Sequence, residues 1–147
     1  NVDYLGLHWY DYVMLRISRR AEYAVRTMVA VARAPSGAFI STPEIGKRML
    51  IPQPFLVKVI GDLKRGGLVT TAVGRRGGVT LARPPEQITL RHIIEAVDGP
   101  PAAVTECLVD PAACSEREVC PAHDAWVRVR QSLQEQMDAI SLRTLSA

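Results

Sequence analysis

Seventeen consecutive residues, CLVDPAACSEREVCPAH, hold all three cysteines of this 147-residue chain and close on a histidine. Cys107, Cys114, Cys120 and His123 stand six, five and two residues apart. Thiolates are soft ligands that suit iron–sulfur clusters, zinc or copper(I), so four soft or borderline ligands in one short loop can wrap a single metal centre. Three cysteines cannot all pair with one another, and in a reducing compartment clustered cysteines serve more often as ligands or redox groups than as disulfides. Tetrahedral zinc also fits three cysteines and a histidine, although structural zinc favours close C-x-x-C pairs and the sequence has none. A thiol switch, in which two cysteines form a disulfide or react with an oxidant, is the third chemistry open to the loop. No phosphate-binding glycine loop, acid/base constellation or nucleophile with a partner base accompanies it. The chain therefore does not read as an enzyme.

The net charge of +3 conceals a division along the chain. Residues 14–83 carry thirteen Lys/Arg against three Asp/Glu, a local charge of +10, whereas residues 84–147 carry five against ten, a local charge of −5. A polyanion is attracted to the first part and repelled by the second, which favours a nucleic-acid partner over an ordinary basic surface. Hydrophobic residues make up 48% of the chain, enough for a core, and no apolar run is long enough to cross a membrane. No basic segment followed by an apolar run marks a secretory signal, so a bacterial, cytoplasmic location is expected. Residues 1–13, NVDYLGLHWYDYV, have no helical period and read as a non-native or disordered extension ahead of Met14.

The elements that must position the loop follow from periodicity. Ser18 is a good N-cap for a helix to about Arg33, with Ala21, Ala24, Val25, Met28, Val29 and Ala32 on its buried face. Thr42 is expected to cap a second helix, with Pro43 at its first position, running to Met49. A third helix, PFLVKVIGDLKR, stops at Gly66-Gly67. Its apolar stripe is Phe55, Leu56, Val59, Ile60 and Leu63, and Gln53, Lys58, Asp62 and Lys64 lie off that stripe. LVTTAV and VTLAR around GRRGG predict a β-hairpin with a basic, glycine-rich tip. Helix, helix and basic hairpin in that order predict a mainly α, winged helix-turn-helix DNA-binding domain over residues 14–85. Ser41 and Thr42 are placed to donate to phosphate. Gln53 and Lys58, with Pro54 between them, are placed to meet base edges or phosphate, and Arg75 and Arg76 to reach phosphates or a narrow minor groove.

Residues 86–123 read as a helix capped by Thr89, LRHIIEAVD, followed by the cysteine loop. Its His92 reads as a surface or satisfied core histidine. Residues 124–147 read as a helix that begins near Pro121 and reaches about Leu142, with Trp126, Val129, Leu133, Met137 and Ile140 along one side. That stripe is expected to pair with a second copy, the alternative being that it folds back on its own domain.

The segments LRISRRAEYAVR, IPQPFLVKVIGDLKRGGLV and GRRGGVTLARPPEQITLRHIIEAVDG, followed by the cysteine loop and AHDAW, resemble in the same order the Rrf-type bacterial transcription regulators, the family of IscR, NsrR, RirA and RsrR. The resemblance runs from about Leu15 to the C-terminus. It implies a homodimeric regulator that binds a partly palindromic, double-stranded promoter site and holds an iron–sulfur cluster (2Fe-2S or 4Fe-4S) at Cys107, Cys114 and Cys120. Such proteins sense redox state, nitric oxide or iron status. The spacing from Cys114 through Cys120 to His123 is similar to that of IscR, where the histidine is the fourth ligand, although the first gap is one residue longer. Glu22 stands where the NsrR and RsrR resemblance places a carboxylate reaching across from the partner subunit, so His123 and Glu22 are both candidates for the fourth position. Val73 departs from the arginine that the family commonly carries before the first glycine of the wing.

Overall fold

The computed structural model describes residues 17–74, 77–99 and 118–147; the expected extension at 1–13, Arg75, Arg76, Cys107 and Cys114 lie outside them. Ser18 opens α1 (Arg19–Ala32) as expected, its side chain accepting a hydrogen bond from the Ala21 amide at 3.0 Å. Ala21, Ala24, Met28 and Val31 recur at three- and four-residue spacing and are all buried, so α1 sits at the centre of the fold. The second helix, α2 (Thr42–Met49), starts one residue earlier than expected. Its cap is Ser41 rather than Thr42: the Ser41 backbone is extended, and its hydroxyl accepts from the Glu44 amide at 3.4 Å, which moves Pro43 to the second helical position.

Leu50 ends α2 in the left-handed conformation (φ 53°), and Ile51 donates its amide to the Gly46 carbonyl at 3.0 Å. This tight turn leads into α3 (Gln53–Arg65), which buries Leu56, Val59, Ile60 and Leu63 and exposes its other face. Strands β1 (Val69–Ala72) and β2 (Gly78–Leu81) pair antiparallel, Val69 opposite Leu81 and Ala72 opposite Gly78. An extended residue before α2 joins this hairpin: Ile40 and Val79 exchange backbone hydrogen bonds of 3.0 and 2.9 Å. The wing is thereby tied directly to the start of α2.

After a short 3-10 turn (Pro85–Gln87), Thr89 caps α4 (Leu90–Asp98). His92 completes that cap, since its Nδ1 accepts from the Thr89 amide at 3.2 Å while the Thr89 hydroxyl accepts from the His92 amide at 3.3 Å. The last long helix, α5 (His123–Ala139), stops short of the expected Leu142. Ile140 is extended, and Ser141 caps a separate short helix, α6 (Leu142–Ser146). Backbone pairing explains the break: Leu90 donates to the Ile140 carbonyl at 2.8 Å and Leu142 to the Ile88 carbonyl at 2.7 Å. Ile93, Ile94 and Val97 of α4, with Met137 and Leu142, share one core with α1, α3 and the hairpin. Residues beyond 85 are thus part of the packing that holds the winged unit. Among the described residues no helix is long and apolar enough to cross a membrane.

Candidate nucleic-acid interface and metal centre

On α3 the core contacts leave Gln53, Pro54, Val57, Lys58, Lys64 and Arg65 exposed. Lys58 has no ion pair to another described residue, and the same holds for Lys47 at the end of α2, so both charges are available to a polyanion. Gln53 is already engaged: its side-chain amide donates to the Thr42 carbonyl at 3.4 Å and links the starts of α2 and α3. One amide N–H and the carbonyl oxygen remain for an outside partner, but the tie to Thr42 restricts how the side chain can turn toward an adenine edge. Pro54 sits exposed in the first turn of α3 and offers no N–H. Ser41 and Thr42 lie at the N-terminus of α2, where the helix dipole favours a phosphate, and the Ser41 hydroxyl keeps its hydrogen free while it accepts from Glu44. At the wing, Gly77 donates to the Gly74 carbonyl at 2.9 Å and Val73 is fully exposed; Arg75 and Arg76, expected to reach DNA, lie outside the described residues.

One feature of α3 has no signal in the pattern of the sequence. Asp62, which lies off the apolar stripe, is buried, with only 4% of its side chain exposed. Its Oδ2 accepts from Arg20 of α1 and its Oδ1 from Arg65, three residues along α3. The carboxylate therefore clamps α1 to α3 and fixes Arg65, whose guanidinium lies beside Gly61 on the exposed side. A buried acid is tolerable only with such partners.

Of the loop ligands, Cys120 and His123 are described. The His123 amide donates to the Cys120 carbonyl at 3.3 Å, a helical turn that sets the two side chains three residues apart at the start of α5. Cys120 is a half-buried free thiol. The Nδ1 of His123 is buried and has no hydrogen-bond partner among the described residues. An imidazole nitrogen in that condition carries a cost that a metal bond removes. Glu22 is placed differently: it lies in the first turn of α1, paired with Arg26 and 3.9 Å from Arg19. To serve as a ligand it must give up Arg26. Among the described residues no group of three or more His, Cys, Asp or Glu side chains gathers.

Of the stripe expected at a dimer interface, Met137 is buried in the chain's own core and Leu133 packs against it. Ile140 lies past the helix end, its carbonyl accepting from α4. Trp126 is half-buried and Val129 is 41% exposed. The C-terminal half of α5 is thus anchored within the chain. Arg91 of α4 reinforces the anchor, donating to Asp138 at 2.7 Å; this bond holds the Asp138 carboxyl below its ordinary range and raises Arg91.

The family model for Rrf2, an iron-dependent transcriptional regulator, matches residues 17–147. The chain belongs to the Rrf2 family. Its relatives include the predicted HTH-type transcriptional regulator Rv1287 of Mycobacterium tuberculosis, 34% identical over 128 residues, spanning 87% of this chain and 79% of that one. Among solved structures, CymR, the global cysteine regulator of Bacillus subtilis, superposes with a TM-score of 0.74 at 26% identity, covering 90% of this chain and 97% of CymR. IscR of T. potens superposes with a TM-score of 0.71 at 26% identity, over 89% and 85% of the two chains. This Rrf2 protein is a DNA-binding transcription regulator of winged-helix fold, and its relatives are regulators rather than enzymes.

Proposed function

We propose that the protein is a homodimeric, cluster-bearing switch that binds promoter DNA through α3, the start of α2 and the wing. The observation that carries the metal reading is the buried, unpartnered Nδ1 of His123 one helical turn beyond Cys120. Cys107, Cys114 and Cys120 supply three thiolates and His123 the fourth ligand; the ion pair of Glu22 with Arg26 disfavours the partner subunit's Glu22 in that role. An iron–sulfur cluster bound there supplies a redox-sensitive centre.

The chain's own residues provide the route to DNA. The first turn of α5 responds to whatever His123 binds, and the last turns of α5 are fixed to α4 by Met137 and the Arg91–Asp138 pair. Helix α4 packs on both α1 and α3. A change in ligation at His123 therefore biases the seat of α3, and in a dimer the angle between the two reading helices. Because the fold also serves CymR, named for cysteine, the loop rather than the fold sets the signal.

Purification without oxygen, followed by a visible spectrum and iron and sulfide analysis per chain, tests the reading. Matched iron and sulfide support it, and their ratio to protein separates a two-iron from a four-iron cluster. A colourless protein holding one zinc per chain, or no metal after cluster reconstitution, refutes it in favour of a structural or thiol-based loop.

A further inference from the structure

The exposed face of α3 is unusually poor in hydrogen-bond donors for a helix that reads DNA. Gln53 spends one of its two amide N–H groups on Thr42, Pro54 has no N–H, and Lys58 is the one charged side-chain donor in the first two turns among the described residues. What that face does present is apolar. Val57 is 60% exposed, and Pro54 lies three residues before it on the same side of the helix. Phe55 is also exposed but is accounted for by its ring packing with Tyr23 of α1, 6.1 Å between centroids. Val57 has no such partner ring. A β-branched residue at an exposed helical position also weakens the helix slightly, so folding gives no reason for it.

In the major groove one feature of the bases is apolar, the 5-methyl group of thymine. We infer that Val57, backed by Pro54, reads a thymine methyl in each half-site, with Lys58 beside it holding a phosphate or a guanine. Charge complementarity favours duplex DNA as the occupant of this face, since Arg19, Arg20, Lys58 and Arg65 line the same surface hollow as Val57 within the basic part of the chain. The inference rests on α3 being the reading helix, as proposed above. It makes the protein a reader of shape and methyl pattern more than of hydrogen-bond pattern.

Removing one methyl is the direct test. Duplex sites are selected from a random library by the full-length protein, and each thymine is then replaced singly by deoxyuridine, which pairs identically but lacks the methyl. At one position per half-site the replacement is expected to weaken binding about fourfold, and about sixteenfold when both half-sites are changed. Val57→Ala is expected to lose a similar factor on the thymine site and to become indifferent to deoxyuridine there, with an unchanged circular dichroism spectrum because Val57 is outside the core. A selected site in which every deoxyuridine is tolerated overturns the inference. So does a Val57→Ala protein that keeps the wild-type sensitivity at the same thymine, since the methyl contact then lies elsewhere. Selection of no sequence at all, with binding that depends only on salt, refutes α3 as the reading helix and takes this inference with it.

Discussion

Gly78 is the position at which the wing is most sensitive to a single methyl group. Its φ of +145° lies where side chains are rarely found, and a Cβ placed there overlaps the Ile40 carbonyl and stands 3.1 Å from the Ser41 amide nitrogen. Those neighbours are backbone atoms and cannot rotate away. Gly78→Ala must therefore both strain the backbone and push Ile40 off the hairpin. The strain costs about 1–3 kcal/mol. Loss of the two hydrogen bonds between Ile40 and Val79 costs about 0.5–1.5 kcal/mol each. The combined effect is about 2–6 kcal/mol, a large part of the roughly 5–15 kcal/mol that holds a domain together.

Gly74 supplies the control. Its φ is +116°, yet an added Cβ there meets nothing within 4 Å, so Gly74→Ala carries only the strain. Urea unfolding followed by circular dichroism should place Gly78→Ala well below Gly74→Ala in midpoint. Promoter affinity should fall further for Gly78→Ala, because Ser41, which starts the helix proposed to meet phosphate, directly follows the displaced Ile40. Equal midpoints for the two variants would refute the argument that the Ile40–Val79 bridge holds the wing to α2.

Asp62→Asn keeps the size of the side chain but loses two charge-assisted hydrogen bonds, and should destabilise the fold by about 1–3 kcal/mol and reduce promoter affinity; an unchanged urea midpoint would show that the clamp is dispensable. Cys120→Ser and His123→Ala should each deplete iron in protein purified without oxygen, whereas Glu22→Gln should retain it; loss of iron in Glu22→Gln alone would move the fourth ligand to the partner subunit's Glu22. Because Arg91 lowers the Asp138 carboxyl, the pair stabilises the fold above about pH 4 and the contribution disappears as pH falls through that lowered value. Wild type should thus exceed Asp138→Asn in thermal midpoint at pH 6 and converge with it in strong acid. Val129→Glu, on the exposed side of α5, should shift the protein toward monomer in sedimentation; an unaltered dimer would place the interface elsewhere.

What was legible in the sequence was whatever repeats. The stripes of α1 and α3 are periodic, and the hairpin announced itself through alternating β-formers around GRRGG, so the winged-helix order followed without coordinates. Features set by a single residue were not legible. Ser41 and Thr42 are both competent caps, and proline is accepted at either of the first two helical positions, so only the backbone angle at Ser41 decides where α2 starts. Ile140 falls on the same stripe as Met137, and periodicity carried the last helix past it. The carbonyl of Ile140 is instead claimed by Leu90, fifty positions earlier in the chain.

Asp62 illustrates the same limit where it bears on function. Its position off the apolar stripe of α3 marked it as polar surface, and the local pattern allows nothing else. Its burial depends on Arg20, 42 residues away, and such a pairing leaves no mark on the spacing of either helix. The same clamp gives the reading helix a fixed seat on α1, the helix against which α4 also packs. In the proposed switch, a signal that arrives through α5 and α4 meets a rigidly mounted α3, and is expected to move it as a body instead of loosening it. In Asp62→Asn, with the mount weakened, cluster loss should change promoter affinity less than it does in the wild type, even at temperatures where the variant is fully folded. If the ratio of affinities with and without cluster is the same in both proteins, the clamp supports the fold and takes no part in the switch.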